Sequence, residues 1–220
     1  MLTTHNFEQG SDEWHDTRRG IVTASMVGKL ITPALKVADN DTSRAVTLQL
    51  VAERITGYTE PTYVNADMER GNTDEPIARQ AYTDNIAPVA ECGFMVLDGI
   101  YGYSPDGLVG DDGLIEVKSR RQKAHLATIL ENKVPAVNVA QIQMGLMVSG
   151  RKWCDYLSWC GGMPMWRIRM HPDTRWFAAI WAAVAQFEGE AAEIVNFYQT
   201  ATAGLPETER GIDLYEEMRL

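Results

Sequence analysis

The fold is decided by two neighbouring stretches, Ser104-Pro105-Asp106-Gly107 and Leu114-Ile115-Glu116-Val117-Lys118. Residues 107–110 and 113–118 have the apolar content of short strands, and the sequence Asp111-Asp112-Gly113 between them favours a turn. Two apolar runs that flank such a turn are typical of a β-hairpin. The two stretches therefore predict adjacent antiparallel strands, with Asp106 at one end of the first.

The polar residues of this hairpin are expected to meet. Side chains two positions apart on a strand share a face, so Glu116 and Lys118 point the same way. The hairpin brings Asp106 opposite this pair, and the backbone carbonyl of Val117 lies between them. We predict that two carboxylates, one carbonyl and one ammonium converge on one spot.

Such a group of ligands suits a hard divalent cation. Mg²⁺ binds one or two carboxylates and completes its shell with water and phosphate oxygens. The ion activates water and neutralises charge on a phosphate that undergoes in-line displacement. A neighbouring amine can position the attacking water or stabilise the developing charge. The alternative is structural, because Pro-Asp-Gly is common in turns and an alternating Glu/Lys pair is common on solvated strands.

A local cluster of cations favours the chemical interpretation. The chain of 220 residues has a formal net charge of −10, yet four cations fall within six positions, at Lys118, Arg120, Arg121 and Lys123. A phosphate backbone is the natural partner of such a cluster. The alternative is an exposed helix start. The overall negative charge argues against a protein that coats nucleic acid without specificity.

Further from the hairpin, the pattern alternates between helices and strands. We predict two short helices over 11–31 with Ser11 and Thr23 as N-caps, and a helix over 43–55 closed by Gly57. The remaining predictions are a helix over 66–82 interrupted near Gly71 and Pro76, a hairpin of strands 89–97 and 100–104, helices 122–132 and 136–149, strands 153–159 and 165–170, and a long helical segment over about 173–203. The predicted class is α/β, with a central mixed, largely antiparallel sheet flanked by helices.

Composition limits the other possibilities. The absence of repeats and of linkers predicts a single domain over residues 1–220. Three cysteines are too few for a four-thiolate cluster and are expected to be reduced and buried. The first residues lack the basic and apolar regions of a signal peptide, and no apolar run is long enough to cross a bilayer. A cytoplasmic protein without a membrane partner is expected.

Beyond this pattern, the chain resembles the phage lambda exonuclease and YqaJ-type viral recombinase family of alkaline exonucleases. Asp106, Glu116 and Lys118 resemble the PD-(D/E)xK nuclease motif, which implies a restriction-endonuclease-like core. The segments that carry the resemblance occur in the family's order over roughly residues 10–160, and they are Trp14–Ser25, Arg70–Tyr82, Ser104–Gly107, Glu116–Lys118 and Ala140–Met144.

The resemblance implies a Mg²⁺-dependent enzyme that digests one strand of double-stranded DNA from its 5′ end. The remaining 3′ single strand would serve recombination with a strand-annealing partner. Two Mg²⁺ ions per active site are implied, and Mn²⁺ could substitute. Family members are ring-shaped homotrimers, and the location would be the cytosol of a bacterial host of phage or prophage origin.

The resemblance also assigns roles to individual residues. The metal ligands would be Asp106, Glu116 and the Val117 carbonyl, with Glu75 at the second metal or its water. Catalysis would use Lys118, and Gln141 would face the site from the following helix. The 5′-phosphate and DNA would be bound by Arg18, Ser25 and Ser104, with Arg19 as an alternative to Arg18 and with Met68 as an apolar wedge at the end base pair. Arg120 and Arg121 are expected to bind DNA as members of the basic cluster, which is more basic than the family pattern.

Two other functions remain open. An endonuclease of the same superfamily would share the carboxylates and the lysine but would not require a free 5′ end. A catalytically silent DNA-end-binding scaffold would keep the basic residues without hydrolysis.

Overall fold

The computed structural model describes residues 1–61 and 65–210 of the chain. Its helices are α1 (Asp12–Arg18), α2 (Ala24–Val27), α3 (Asp41–Thr56), α4 (Ala66–Asn85), α5 (Gln122–Glu131), α6 (Ala136–Ser149) and α7 (Thr174–Ala201). Its strands are β1 (Leu2–His5), β2 (Val22–Thr23), β3 (Phe94–Leu97), β4 (Tyr101–Tyr103), β5 (Gly107–Val109), β6 (Gly113–Ser119), β7 (Trp153–Trp159) and β8 (Trp166–Met170). None of the helices within these described ranges is both long and apolar enough to cross a membrane.

Local sequence signals set most helix ends. Ser11 caps α1, since its hydroxyl accepts a hydrogen bond from the Trp14 backbone N–H. Helix α3 begins two residues before the prediction, because Asn40 is its N-cap and Ser43 returns the reciprocal bond of a capping box. Gly57 ends this helix in the left-handed region, as predicted. Thr23 precedes α2 but makes no side-chain cap bond.

The predicted break in α4 is wrong. The helix runs from Ala66 to Asn85 without interruption at Gly71 or Pro76. Proline in a helix interior removes one backbone hydrogen bond, which is costly when the freed carbonyl is buried. Pro76 is exposed, so the freed carbonyl is on the solvent side of the helix, while the buried Ala78 and Tyr82 hold the other side.

The strands form two sheets of four rather than the single central sheet that was predicted. One sheet has the order β1-β3-β4-β2 and the other β5-β6-β7-β8, and each contains one parallel pair and two antiparallel pairs. The α/β class with largely antiparallel strands flanked by helices is confirmed. The chain leaves β4 for β5 through Ser104-Pro105-Asp106, where Pro105 has no N–H to extend the ladder.

The predicted strand over 89–97 is divided between the two sheets. Ala90 exchanges two backbone hydrogen bonds of 2.8 Å with Leu108 of β5, whereas Phe94–Leu97 pairs with β1 and β4. Gly93 lies at the division, where a Cβ would fall 2.2 Å from the Phe7 carbonyl oxygen. The strands β1 and β2 were not predicted, because β1 is largely exposed and β2 has two residues.

Both predicted hairpins are present. Asp98 and Gly99 have φ values of 53° and 75° in the turn between β3 and β4, which matches the geometry of a tight hairpin turn. In the second hairpin, Gly107 pairs with Ile115 and Val109 with Gly113.

Strand β6 separates two apolar cores. Its residue Leu114 contributes to the larger core, together with α6 and α7, whereas Ile115 and Val117 pack on the smaller core beneath α4. Because side chains alternate, Glu116 and Lys118 lie on the same face as Leu114. The three cysteines are buried and free.

Asp155 on β7 links the smaller core to helix α4 and strand β8. This buried carboxylate on β7 accepts hydrogen bonds from Tyr82 of α4 at 2.7 Å, from Arg167 at 2.9 Å, and from Arg169 at 2.7 and 2.9 Å. Burial by itself raises its pKa, but the bonds from Arg169, Tyr82 and Arg167 outweigh burial and lower the pKa below the usual 3.8. The ionised carboxylate therefore stabilises the fold.

Asp155→Asn should lower the free energy of unfolding at pH 7 by about 2–3 kcal/mol, because charged hydrogen bonds are lost and two arginines lose their partner. The folded-state pKa is depressed, so the stabilisation is present above the usual pKa of 3.8 and is lost as the pH falls through the folded value. Urea unfolding at several pH values measures this. The exposed pair Lys152–Asp112 supplies a control, Asp112→Asn, with an expected loss below about 0.5 kcal/mol. An equal loss in both variants would contradict the assignment.

Candidate active site

The hairpin of β5 and β6 brings the predicted carboxylates together. Asp106 precedes the Gly107–Ile115 pair, which places it opposite Glu116. One Asp106 oxygen, Oδ2, accepts a hydrogen bond of 2.6 Å from the Val117 backbone N–H. The fully buried Glu116 accepts a bond of 2.6 Å from the Lys118 amine at Oε1. Asp106, Glu116, Val117 and Lys118 thus form one cluster.

The cluster holds more negative charge than the fold neutralises. Burial, followed by the charge of Glu116, raises the pKa of Asp106 to about 7 against the opposing effect of Lys118. Burial and the charge of Asp106 likewise raise the pKa of Glu75 to about 7. Burial alone would lower the pKa of Lys118, but Glu116 and Asp106 raise it above its usual value. The amine is therefore charged, and it is the one lysine near three acidic groups, Asp106, Glu116 and Glu75, in the described part of the chain.

The donor set fits a divalent cation that shares its shell with solvent and substrate. The Glu116 Oε2 atom is buried and has no hydrogen-bond partner within residues 1–61 and 65–210. An ionised oxygen in this state is costly unless a cation approaches it. In the described part of the chain, no group of three or more His, Cys, Asp or Glu side chains has the arrangement of a complete metal site. Two carboxylates with water and phosphate oxygens are, however, a common shell for Mg²⁺.

Glu75 lies on α4 within electrostatic range of Asp106 and Lys118, and Gln141 lies on α6. Glu75 lies on α4, which packs against β6, and it pairs with Arg79 at 2.7 Å. Gln141 is half-buried on α6 and makes no hydrogen bond with the described residues. It lies one turn after Asn138, whose amide oxygen accepts a bond from Arg120. The nearby Gln143 has a different role, since its amide bonds the backbone of His171 and Asp173 ahead of α7.

Arg18 forms a separate cationic pocket. Its Nη1 donates to the Ser104 hydroxyl at 2.9 Å, and the Trp14 indole N–H donates to the same oxygen at 3.0 Å. The guanidinium lies 3.7 Å from the centroid of the Trp14 ring. Burial lowers the pKa of Arg18 to about 10, opposed by the charge of Glu53, so the group remains charged at neutral pH. It has no ion pair with any residue that the structure describes, which leaves it able to bind an anion.

The other residues predicted to bind the 5′-phosphate or the DNA end make no hydrogen bond with Arg18 or Ser104 in the described part of the chain. Arg19 pairs with Asp16, so its charge is already compensated. Ser25 is exposed, and its hydroxyl bonds that of Thr23 at 3.1 Å instead of Arg18. Met68 lies in the first turn of α4 and is 43% exposed. Of the predicted phosphate-binding residues, Arg18 and Ser104 are therefore in contact with each other, whereas Arg19 and Ser25 have other partners.

The basic residues after β6 also differ from one another. Arg121 bonds Asp67 of α4 at 3.0 and 2.9 Å, and Lys123 is exposed. Arg120 instead bonds the neutral acceptors Tyr156 and Asn138.

Sequence reasoning missed a clamp on Gly20, which lies two residues after Arg18 at the end of α1. The Gly20 N–H donates to Glu53 at 2.9 Å, and the Gly20 carbonyl accepts from Arg54 Nε at 2.7 Å. Arg54 also makes two bonds, of 2.8 and 2.6 Å, with Glu188 of α7. A signal was available in the sequence, because Glu53 falls seven positions after Val46 and three after Leu50, on the apolar face of the predicted helix. A buried glutamate on an apolar helix face calls for a specific partner.

The family model described as the YqaJ-like viral recombinase domain matches residues 13–152, which is more than half of the chain. The chain belongs to this family. No curated protein matches it significantly.

Solved structures agree with this assignment. An alkaline exonuclease, LHK-Exo from Laribacter hongkongensis, is 32% identical with a TM-score of 0.79, over 89% of this chain and 100% of that chain. The structure of LHK-Exo in complex with dAMP gives the same values. A phage-related exonuclease from Haemophilus somnus 129PT is 12% identical with a TM-score of 0.63, over 81% of this chain and 96% of that one, and shows the fold alone. The predicted family and fold class are confirmed.

Gly20→Ala should disrupt the clamp. The residue has φ +66°, and a Cβ would lie 2.4 Å from Arg54 Cγ, so both the backbone and the Arg54–Glu188 pair must shift. Gly57→Ala is the matched control, because Gly57 has φ +61° and open space around the Cβ position. We expect a loss of about 1–2 kcal/mol for Gly57→Ala and about 3 kcal/mol for Gly20→Ala in urea unfolding. Equal losses would show that the contact with Arg54 is unimportant.

Proposed function

We propose that the protein is a metal-dependent exonuclease that digests double-stranded DNA from a 5′-phosphorylated end, in the 5′-to-3′ direction. The observation that carries the proposal is the pair of the half-buried Asp106 and the fully buried Glu116, with Lys118 bonded to Glu116 and the Glu116 Oε2 atom unpartnered. Family membership and the likeness to an alkaline exonuclease support a nuclease activity. The relative solved with dAMP supports a nucleoside monophosphate as the released product.

Asp106, Glu116 and the Val117 carbonyl would hold a first Mg²⁺, and Glu75 a second ion or its water, with Mn²⁺ as a possible substitute. Bound there, the metal supplies an activated water and offsets charge on the phosphodiester. Lys118 donates a hydrogen bond to a phosphoryl oxygen as negative charge develops on it. Glu116 holds the Lys118 amine at 2.6 Å and so fixes its direction. Gln141 orients water or substrate from α6.

The Arg18 pocket accounts for the proposed direction of digestion. A guanidinium binds a terminal phosphate with two parallel hydrogen bonds, and Ser104 adds a hydroxyl. Ser104 and Asp106 belong to the same segment between the two sheets, so the pocket and the carboxylates are at a fixed spacing. Ser25 would complete the pocket, Arg121 would contact the DNA backbone, and Met68 would press on the end base pair.

The wider biological setting is proposed from the family resemblance and not from a contact in the structure. The chain would act as a single nuclease domain within a ring-shaped homotrimer. Its product, a 3′ single strand, would pass to a strand-annealing recombinase. The reaction would take place in the cytosol of a bacterial host.

Digestion of a linear 5′-phosphorylated duplex, labelled at either end, tests the proposed function. With Mg²⁺, on a duplex that carries a phosphate at only one of its two 5′ ends, we expect mononucleotides from the phosphorylated strand and an intact complementary strand, and with EDTA no products. Lys118→Ala should lower the rate by about 10²–10⁴-fold while DNA binding persists, because the transition-state charge loses its amine. Lys152→Ala, an exposed lysine paired with Asp112, is the control and should retain full activity.

Three results would contradict the proposal. Cutting of a circular duplex would favour the endonuclease. Binding of DNA ends without any hydrolysis would favour the scaffold. Full activity of Lys118→Ala would remove the proposed role of that amine.

Arg18→Ala should remove the preference for a 5′-phosphate. We expect the ratio of initial rates on 5′-phosphorylated and 5′-hydroxyl duplexes to fall by about 10-fold or more, since a charge-assisted contact contributes about 1.5–3 kcal/mol. Arg44→Ala removes an exposed arginine paired with Asp39 and Asp41, and it should leave the ratio unchanged. Loss of the preference in Arg19→Ala, but not in Arg18→Ala, would transfer the role to Arg19.

A further inference from the structure

Arg120 differs from the other cations that follow β6, the strand that carries Glu116 and Lys118. Its Nε and Nη2 atoms donate to the Tyr156 hydroxyl at 3.2 and 3.0 Å, and Nη2 also donates to the amide oxygen of Asn138. Both acceptors are neutral, so the guanidinium keeps its full positive charge. Arg121, the next residue, is instead paired with the Asp67 carboxylate.

The position of Arg120 is next to the carboxylate cluster. The Arg120 N–H bonds the Trp159 carbonyl at 2.7 Å, which continues the β6–β7 ladder beyond β6. Its partner Tyr156 lies on β7 directly beside Glu116 in the register, so the two side chains share a face. Its other partner, Asn138, lies one turn before Gln141 on α6. Arg120 therefore connects the elements that carry Glu116, Lys118 and Gln141.

One end of the guanidinium is available to a ligand. Arg120 Nη1 makes no hydrogen bond or ion pair with residues 1–61 or 65–210. The side chain is half-buried. Its Nη1 atom is not fully buried, so this nitrogen is accessible to solvent. Two neutral acceptors thus fix the orientation of a cation without cancelling its charge. Such a fixed guanidinium binds a phosphate at little entropic cost.

We propose that Arg120 binds substrate at the reaction centre, with Nη1 in contact with a backbone phosphate of the strand being cut, at or next to the scissile phosphodiester. Tyr156 and Asn138 are the residues that position it. This role rests on the proposed nuclease function and is more specific than a general attraction of the basic cluster to DNA. A carboxylate ligand is disfavoured, because the site already contains Asp106, Glu116 and Glu75.

Two variants test the proposal in complementary ways. Arg120→Met removes the cation. Asn138→Asp keeps the shape of the acceptor but places a carboxylate on Arg120, which should neutralise the cation while the hydrogen bond is kept. Arg175→Met is the charge-matched control, because Arg175 is an exposed arginine that pairs with Asp173 in the first turn of α7.

Binding is measured first, without metal, as the salt dependence of affinity for a 5′-phosphorylated duplex. Each lost phosphate contact lowers the slope of log affinity against log salt by about one. We expect this decrease for Arg120→Met and Asn138→Asp, and no change for Arg175→Met. Single-turnover cleavage with Mg²⁺ at saturating DNA should slow by about 10–100-fold in the same two variants. Arg120→Lys should recover part of the rate, since it keeps the charge but not the fork.

A structural role predicts a different result. Arg120 would then matter only as a donor to Tyr156 and Asn138, so Arg120→Met would lower the unfolding temperature, and Asn138→Asp would retain the wild-type salt slope and rate. That outcome overturns the proposal, as does an unchanged slope in both variants. If wild-type protein binds DNA but does not cut it, the proposed nuclease function fails, whereas the metal-free slopes still decide whether Arg120 binds a phosphate.

Discussion

The constraint on which the site depends is negative charge at Asp106 and Glu116 that Lys118 neutralises only in part, held together by the hairpin of β5 and β6. Asp155, on the next strand, shows the contrast. Its carboxylate is fully buried, as that of Glu116 is, but three side chains donate to it and its pKa is lowered. Glu116 keeps an unpartnered oxygen, and the pKa of Asp106 is raised to about 7. Asp155 therefore stabilises the fold, whereas the Asp106–Glu116 pair costs stability unless a cation and substrate complete it.

The segment from Ser104 to Asp106 joins this pair to the Arg18 pocket. It is the crossing between the two sheets, and Pro105 at its centre ends the backbone ladder. Ser104 accepts a bond from Arg18, and Asp106 accepts one from the Val117 backbone. Two extended residues span about 7 Å, so the Arg18 pocket and the carboxylates are held at a short and fixed separation. The clamp on Gly20 extends the same constraint to α3 and α7.

Four arginines near the site fall into two groups. Arg121 and Arg70 share the carboxylate of Asp67, and pairing of this kind at the surface contributes little binding capacity. Arg18 and Arg120 bond hydroxyl or amide oxygens instead, and neither has an ion pair in the described part of the chain. Net charge is therefore a poor guide to the partner here. What matters is which guanidinium groups lack a carboxylate and where the backbone holds them.

The sequence alone determined the hairpin, the shared face of Glu116 and Lys118, and the position of Asp106 opposite them, because strand periodicity and turn chemistry act over a few residues. It also determined the family and the long C-terminal helix. Only the tertiary structure divided the strands between two sheets and kept α4 continuous through Pro76. It also brought Glu53 to Gly20 and joined Arg120 to Tyr156 and Asn138. These partners are 18 to 36 positions apart. Contacts at that range depend on how helices and sheets pack together, and local sequence patterns do not determine that packing.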